Sequence, residues 1–218
     1  LSFDMQVEVA RRMGYQDRPG RRAVELFMQD YFRHATRVGD LTRVFLTALE
    51  SRHVFQQPLL ERTFRRRKKM RPGFAGNAGR LTFADPNTAL KDPLNVLRIY
   101  EEALRTGILI HPEAMRLIAS NLDLIDEDMR ENPEAVRIFL DLLLKHGNPE
   151  RALRRMNELG VLGAFIPEFE AIVAMMQFNV YHHYTVDEHT IQCISTLAQI
   201  ERGELIEELP LSSEILKT

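Results

Sequence analysis

The chain has 218 residues, 44% hydrophobic and 28% charged, the balance of a globular protein with a sizeable core rather than of a disordered segment. Its 29 lysines and arginines against 31 aspartates and glutamates leave a formal charge of -2, so no global field draws it to nucleic acid. The single cysteine, Cys193, excludes an internal disulfide framework; neither a signal-peptide pattern nor an apolar run of membrane-spanning length occurs, and the cytoplasm is the expected compartment.

Helix punctuation dominates. Ser2 is placed to cap a helix that runs to about Met13 and stops at Gly14. Two further helices are predicted, over Arg22 to Thr36 and Asp40 to Val54; the first carries the stripe Val24, Phe27, Met28, Tyr31 and Phe32, which reads as a packed face rather than a cofactor box. Arg62, Arg65, Arg66, Arg67, Lys68, Lys69 and Arg71 then form the sharpest charge run. One reading has Arg65, Arg66 and Arg67, with the amides of the following glycine loop, contacting a triphosphate or another anion. The other, favoured because charge runs usually mark solvated surface, is a basic connector facing acidic stretches such as Asp123 to Glu134 or Glu201 to Glu208. The spacing matches no phosphate signature. Without a groove-reading helix or interleaved aromatics, nucleic acid is the weaker partner still.

Gly73 to Pro86 reads as a loop with one small strand, Arg80 to Phe83. Asp92-Pro93, Asn132-Pro133 and Asn148-Pro149 each set a capping residue before a proline at the first helical position, and so predict three helix starts. Over Pro133 to His146 the apolar positions Val136, Phe139, Leu140, Leu143 and Leu144 recur at helical spacing, and Gly147 ends the run. The next helix spans Pro149 to Leu159 and ends at Gly160. A short turn then leads to Ile166-Pro167 and a helix through Met176.

Met175 to Ile191, MMQFNVYHHYTVDEHTI, crowds three histidines, two carboxylates and two tyrosines around one helix start. Such side chains are costly to bury unless paired, protonated or metal-bound, so a site is the first hypothesis there. His34, His53, His111 and His146 stand singly near helix ends or on polar faces and are assigned surface roles. His182 and His183 adjoin each other, so at most one points inward. On a helix from about Asp187, His189 shares with Val186, Cys193, Leu197 and Ile200 a face expected to be inward; from residues alone, a core histidine is the commoner outcome than a ligand.

Met176-Gln177-Phe178 and Tyr184-Thr185-Val186-Asp187-Glu188-His189-Thr190 resemble the opening of the HD hydrolase domain of the bifunctional PII uridylyltransferase/uridylyl-removing enzymes. Leu159-Gly160-Val161-Leu162-Gly163 with Ile166-Pro167-Glu168-Phe169 is similar to the approach to that domain. So, more loosely, are Leu1-Ser2-Phe3-Asp4, Gln6, Val9-Ala10, Gly14-Tyr15, Phe27-Met28 and Tyr31-Phe32. The resemblance implies a parent that adds UMP from UTP to PII when glutamine is scarce and hydrolyses the UMP–tyrosine phosphodiester when glutamine is plentiful. It implies a divalent metal, Mg or Mn, with His189 as the first HD ligand and His183, Asp187 and Glu188 as the wall of the site. A Gly-Ser signature with paired aspartates, and a His-Asp doublet, are not found in these residues. The chain is therefore expected to be a middle piece, inactive alone.

The expected fold is all-α: a helical connector with an irregular central loop over 1–169, then the incomplete start of an HD domain over 170–218. An RNA nucleotidyltransferase of the CCA-adding type and a non-catalytic helical interaction module remain as alternatives.

Overall fold

The computed structural model describes residues 2–53, 69–147, 149–176 and 184–216. Arg62 to Lys68, Asn148, His182 and His183 lie outside them. Among the described residues the fold is helical with one small hairpin, as the capping signals predict, and no helix is long and apolar enough to cross a membrane.

Helices α1 (Phe3–Arg12) and α2 (Ala23–His53) pack as a hairpin around Ala10, Val24, Phe27 and Met28. Ser2 takes the extended N-cap backbone but makes no side-chain capping bond, while Gly14 ends α1 with a φ of 82°. The aromatic stripe is a packed face, with Tyr15 meeting Phe27 edge-on at 5.6 Å, although Tyr31 at its end is exposed. The two helices predicted on either side of Gly39 are one. Gly39 is not among the residues with positive φ, and a mid-helix glycine costs only about 1 kcal/mol, too little to break a continuous hydrogen-bond ladder.

The glycine segment holds two strands rather than one, β1 (Phe74–Asn77) and β2 (Arg80–Phe83), antiparallel with Asn77 opposite Arg80. Ala78 and Gly79 close the turn with φ of 47° and 77°, the paired positive values of a tight hairpin. Alternation on β2 buries Leu81 and Phe83. Leu81 also accepts from His111 N at 2.7 Å and donates to Leu109 O at 2.8 Å, which fixes the hairpin onto the helices that follow.

Those helices are α3 (Pro86–Ala89), α4 (Asn95–Thr106), α5 (Pro112–Ala119), α6 (Glu127–Glu131), α7 (Pro133–Leu144), α8 (Pro149–Glu158), α9 (Val161–Phe165), α10 (Pro167–Glu170), α11 (Val186–Glu201) and α12 (Pro210–Ile215). Asn132 caps α7 as expected, accepting from Glu134 N at 2.8 Å. Asp92 instead holds a turn, and α4 begins at Asn95. His111 is not a surface histidine: it is buried and caps α5, its Nδ1 accepting from Glu113 N at 3.2 Å. The turn expected after Gly160 is helix α9, and the helix expected through Met176 stops at Glu170 and continues as turns.

Helix α7 buries Ala135, Ile138 and Leu142 against α4; of the five apolar positions its spacing singles out, Phe139 and Leu143 are half-buried against the core, while Val136, Leu140 and Leu144 are exposed. The helix is apolar on more than one side, so periodicity fixes the helix without choosing its inner face. Ile138→Ala is expected to cost about 2 to 5 kcal/mol, and Leu144→Ala to stay within about 0.5 kcal/mol. Urea unfolding of the two variants checks which face is buried.

Candidate functional site

Three apolar residues of α8, Ala152, Leu153 and Met156, are buried in the main core. Its other edge, spaced by three and four residues, carries Glu150, Arg154 and Asn157 along the flank of α11. Ser195 Oγ donates to Glu150 Oε2 at 2.6 Å, Arg154 Nε to Glu150 Oε1 at 2.8 Å, and Asn157 Nδ2 to Asp187 Oδ2 at 2.8 Å. Arg154 also pairs with Glu188, and Arg202 donates to Gly147 O. The rungs run in opposite directions along the two helices. They form a polar seam that fixes how α11 is rotated.

The seam explains where the predicted site residues fall. Asp187 and Glu188 occupy the first turn of α11, where acidic groups suit the helix dipole, and both turn toward α8. Val186 N donates to Met175 O at 2.8 Å, tying the start of the helix to the chain that precedes it. The buried side of α11 is Asp187, Ile191, Ser195 and Ile200. His189, Cys193 and Leu197 lie on the exposed side, not the inward face expected of them, and His189 Nε2 is 3.8 Å from Cys193 Sγ. Neither face of α11 is markedly more apolar than the other, so pairing with α8 decides the phase. The structure brings Asp187 and Glu188 together with α8 rather than with His189.

His183, Arg65, Arg66 and Arg67 lie outside the described residues. The end of the basic run is described, and it is anchored. Arg71 Nη1 donates to Glu101 Oε2 at 2.5 Å and Arg71 N to Glu102 Oε1 at 3.0 Å, while Arg105 grips Glu102 at 2.6 and 2.8 Å and Lys69 O at 2.6 Å. Burial pushes the Glu102 carboxyl up, but the bonds from Arg105 and Arg71 outweigh it and hold the group below its usual range.

Among the described residues, no group of three or more His, Cys, Asp or Glu side chains could hold a metal ion. His189 offers one imidazole with a thiol beside it, which alone does not make a divalent site. Sequence reading missed Glu150, Asn157 and Ser195. Only the spacing of Glu150 and Arg154, on a helix whose opposite face is apolar, hinted at a polar edge.

Comparison with known proteins places these elements. A family model described as the third domain of the uridylyltransferase GlnD matches residues 74–165, and one described as GlnD PII-uridylyltransferase matches residues 1–46. The chain is 71% identical over 217 residues to a bifunctional uridylyltransferase/uridylyl-removing enzyme of Ruegeria pomeroyi, covering all of this chain and 24% of that protein. It is 72% identical over 216 residues to the protein of the same description in Cereibacter sphaeroides, covering 99% of this chain and 23% of the relative. The chain thus spans about a quarter of the length of the curated relatives it matches. No solved structure matches it.

The seam makes stability depend on pH. The Ser195 hydroxyl, then Arg154, holds the Glu150 carboxyl below its usual 4.5. A carboxyl lowered on folding stabilises the fold above its unfolded value, and that contribution is lost as pH falls through the folded value. Ser195→Ala is therefore expected to lower stability at neutral pH by about 1 kcal/mol, a figure discounted for the partial exposure of Glu150. The gap to the parent should narrow as pH falls below 4.5. Urea titrations at neutral and acid pH measure it, and a gap constant across that range would remove Glu150 as its source.

Proposed function

We propose, for a chain that belongs to the bifunctional uridylyltransferase/uridylyl-removing enzymes, that residues 1–169 form the helical connector between two active sites and residues 170–218 open an HD-type hydrolase domain. The whole protein, in this reading, is a cytoplasmic enzyme that transfers UMP from UTP to PII and removes it by hydrolysis, under the control of glutamine. The 218 residues alone carry neither activity.

The observation that carries the reading is the Tyr184 to Thr190 string together with the position of its histidine. His189 stands exposed on the second turn of α11, on the side away from α8, where an imidazole is free to meet groups beyond the described residues. We assign His189 as one ligand of a divalent metal, Mg or Mn, whose remaining ligands lie outside the described residues. Asp187 and Glu188 serve this role indirectly: by locking to Asn157 and Arg154 they set the rotation of α11 and hence the direction of His189. The basic run belongs to the connector, fastened at Arg71 and Lys69 to α4; Arg65, Arg66 and Arg67 remain candidates for the nucleotide phosphates. The identity to uridylyl-transferring relatives along the entire chain favours this reading over a CCA-adding enzyme or a non-catalytic module.

In the full-length protein, His189→Ala is expected to abolish release of UMP from PII while transfer of UMP persists. Because the side chain is exposed, the melting temperature should hardly move, as for surface substitutions worth within about 0.5 kcal/mol. Assaying both reactions and the melt on one preparation tests the assignment. A variant that still removes UMP at the parental rate, or that loses both activities with its fold, would sink it.

A further inference from the structure

A cleft of about 850 Å³ opens between α2, α5, the end of α8 and the first turn of α11, within the size range of small-molecule sites. Its walls are apolar, with Phe32, Met115, Leu159 and Val173 among them. Most of its charged side chains are already matched. Arg33 pairs with Glu170 at 3.5 Å, Glu158 with Arg155 at 2.6 Å, and Glu188 with Arg154. Three charges in the lining are left without an ionic partner among the described residues: Asp187, Arg37 and Arg116.

Asp187 is 4% exposed, and the only hydrogen bond its carboxylate accepts among the described residues is the one from Asn157. Its Oδ1 and the Oδ1 of Asn157 are both buried acceptors without a donor. Reversing the Asn157 amide would set its oxygen against the carboxylate, so with Asp187 ionised the shortage is of donors. A buried carboxylate in this state is best matched by a cationic N–H donor. Arg37 on α2 and Arg116 on α5, both exposed, are the cations of the lining without an ionic partner among the described residues. We propose that the cleft binds a small zwitterion, with an ammonium on Asp187 and Asn157 and a carboxylate or phosphate on Arg37 and Arg116. The site does not use His189 itself, although it shares with the proposed function the Asp187–Asn157 bond that sets the rotation of α11, and its binding test reads neither activity.

Isothermal titration of the chain with L-glutamate, O-phosphoethanolamine and glutarate tests this, because glutarate keeps the anionic ends and lacks the ammonium. At least one amine-bearing probe is expected to bind tenfold or more tightly than glutarate; L-glutamate alone identifies a carboxylate ligand and O-phosphoethanolamine alone a phosphate. Asp187→Asn should erase the preference for the amine. The double variant Arg37→Ala with Arg116→Ala, at exposed positions that leave folding intact, should weaken the amine probe at least tenfold even where Asp187→Asn lowers stability. Glutarate binding as tightly as the amines, binding unmoved in the arginine variant, or no binding by any probe would overturn the proposal, the last outcome leaving water as the donor.

Discussion

Helix α8 has to satisfy two surfaces that want opposite chemistry, and the arrangement around it follows from how it does so. One face closes the main core with Ala152, Leu153 and Met156; the other presents Glu150, Arg154 and Asn157 to α11. Apolar contact holds α8 in place but is tolerant of rotation in whatever packs beside it. Directional bonds are not. A helix docked through Asp187 and Glu188 in its first turn and Ser195 about two turns on has a single phase in which all three are met, and that phase turns His189 outward.

The energetic weight of the two faces differs as well. Burial of the apolar face is worth about 25 cal/mol for each Å² removed from water, whereas part-exposed ion pairs such as Arg154 with Glu188 contribute about 0 to 1 kcal/mol. The seam contributes orientation more than stability. Glu102, fully buried and clasped by Arg105 and Arg71, does the corresponding work at the other end of the fold, fastening the segment that precedes the hairpin to α4.

Much of the fold was legible in the sequence because its starts and stops are local. Asn132 before Pro133 acts through its own side chain and Gly14 after α1 and Gly160 after α8 through their own backbones, and the helices there are where the spacing puts them. Errors arose where a choice was settled at a distance. The inner face of α7 depends on α4, and the continuity of α2 through Gly39 depends on a ladder that a single glycine cannot break. At the site, the string around His189 was legible as a motif, but its orientation was not: Asp187 and Glu188 read as neighbours of His189 in sequence and are bound by α8 in space. Asn157 and Ser195 carried no signal until the helices were laid side by side.

The length of α2 gives the hairpin a mechanical property. Near its start the helix is anchored by Gln29, which donates to Val173 O at 2.9 Å and accepts from Arg21 at 2.6 Å, and from there it runs on to His53. At 1.5 Å per residue that is a rod of roughly 36 Å, and a tilt of about 10° at the anchor carries the far end about 6 Å. The bonds of Gln29, with the Arg33–Glu170 pair one turn on, therefore set the aim of the whole rod: the direction in which its far end points is fixed beside Val173, just ahead of α11.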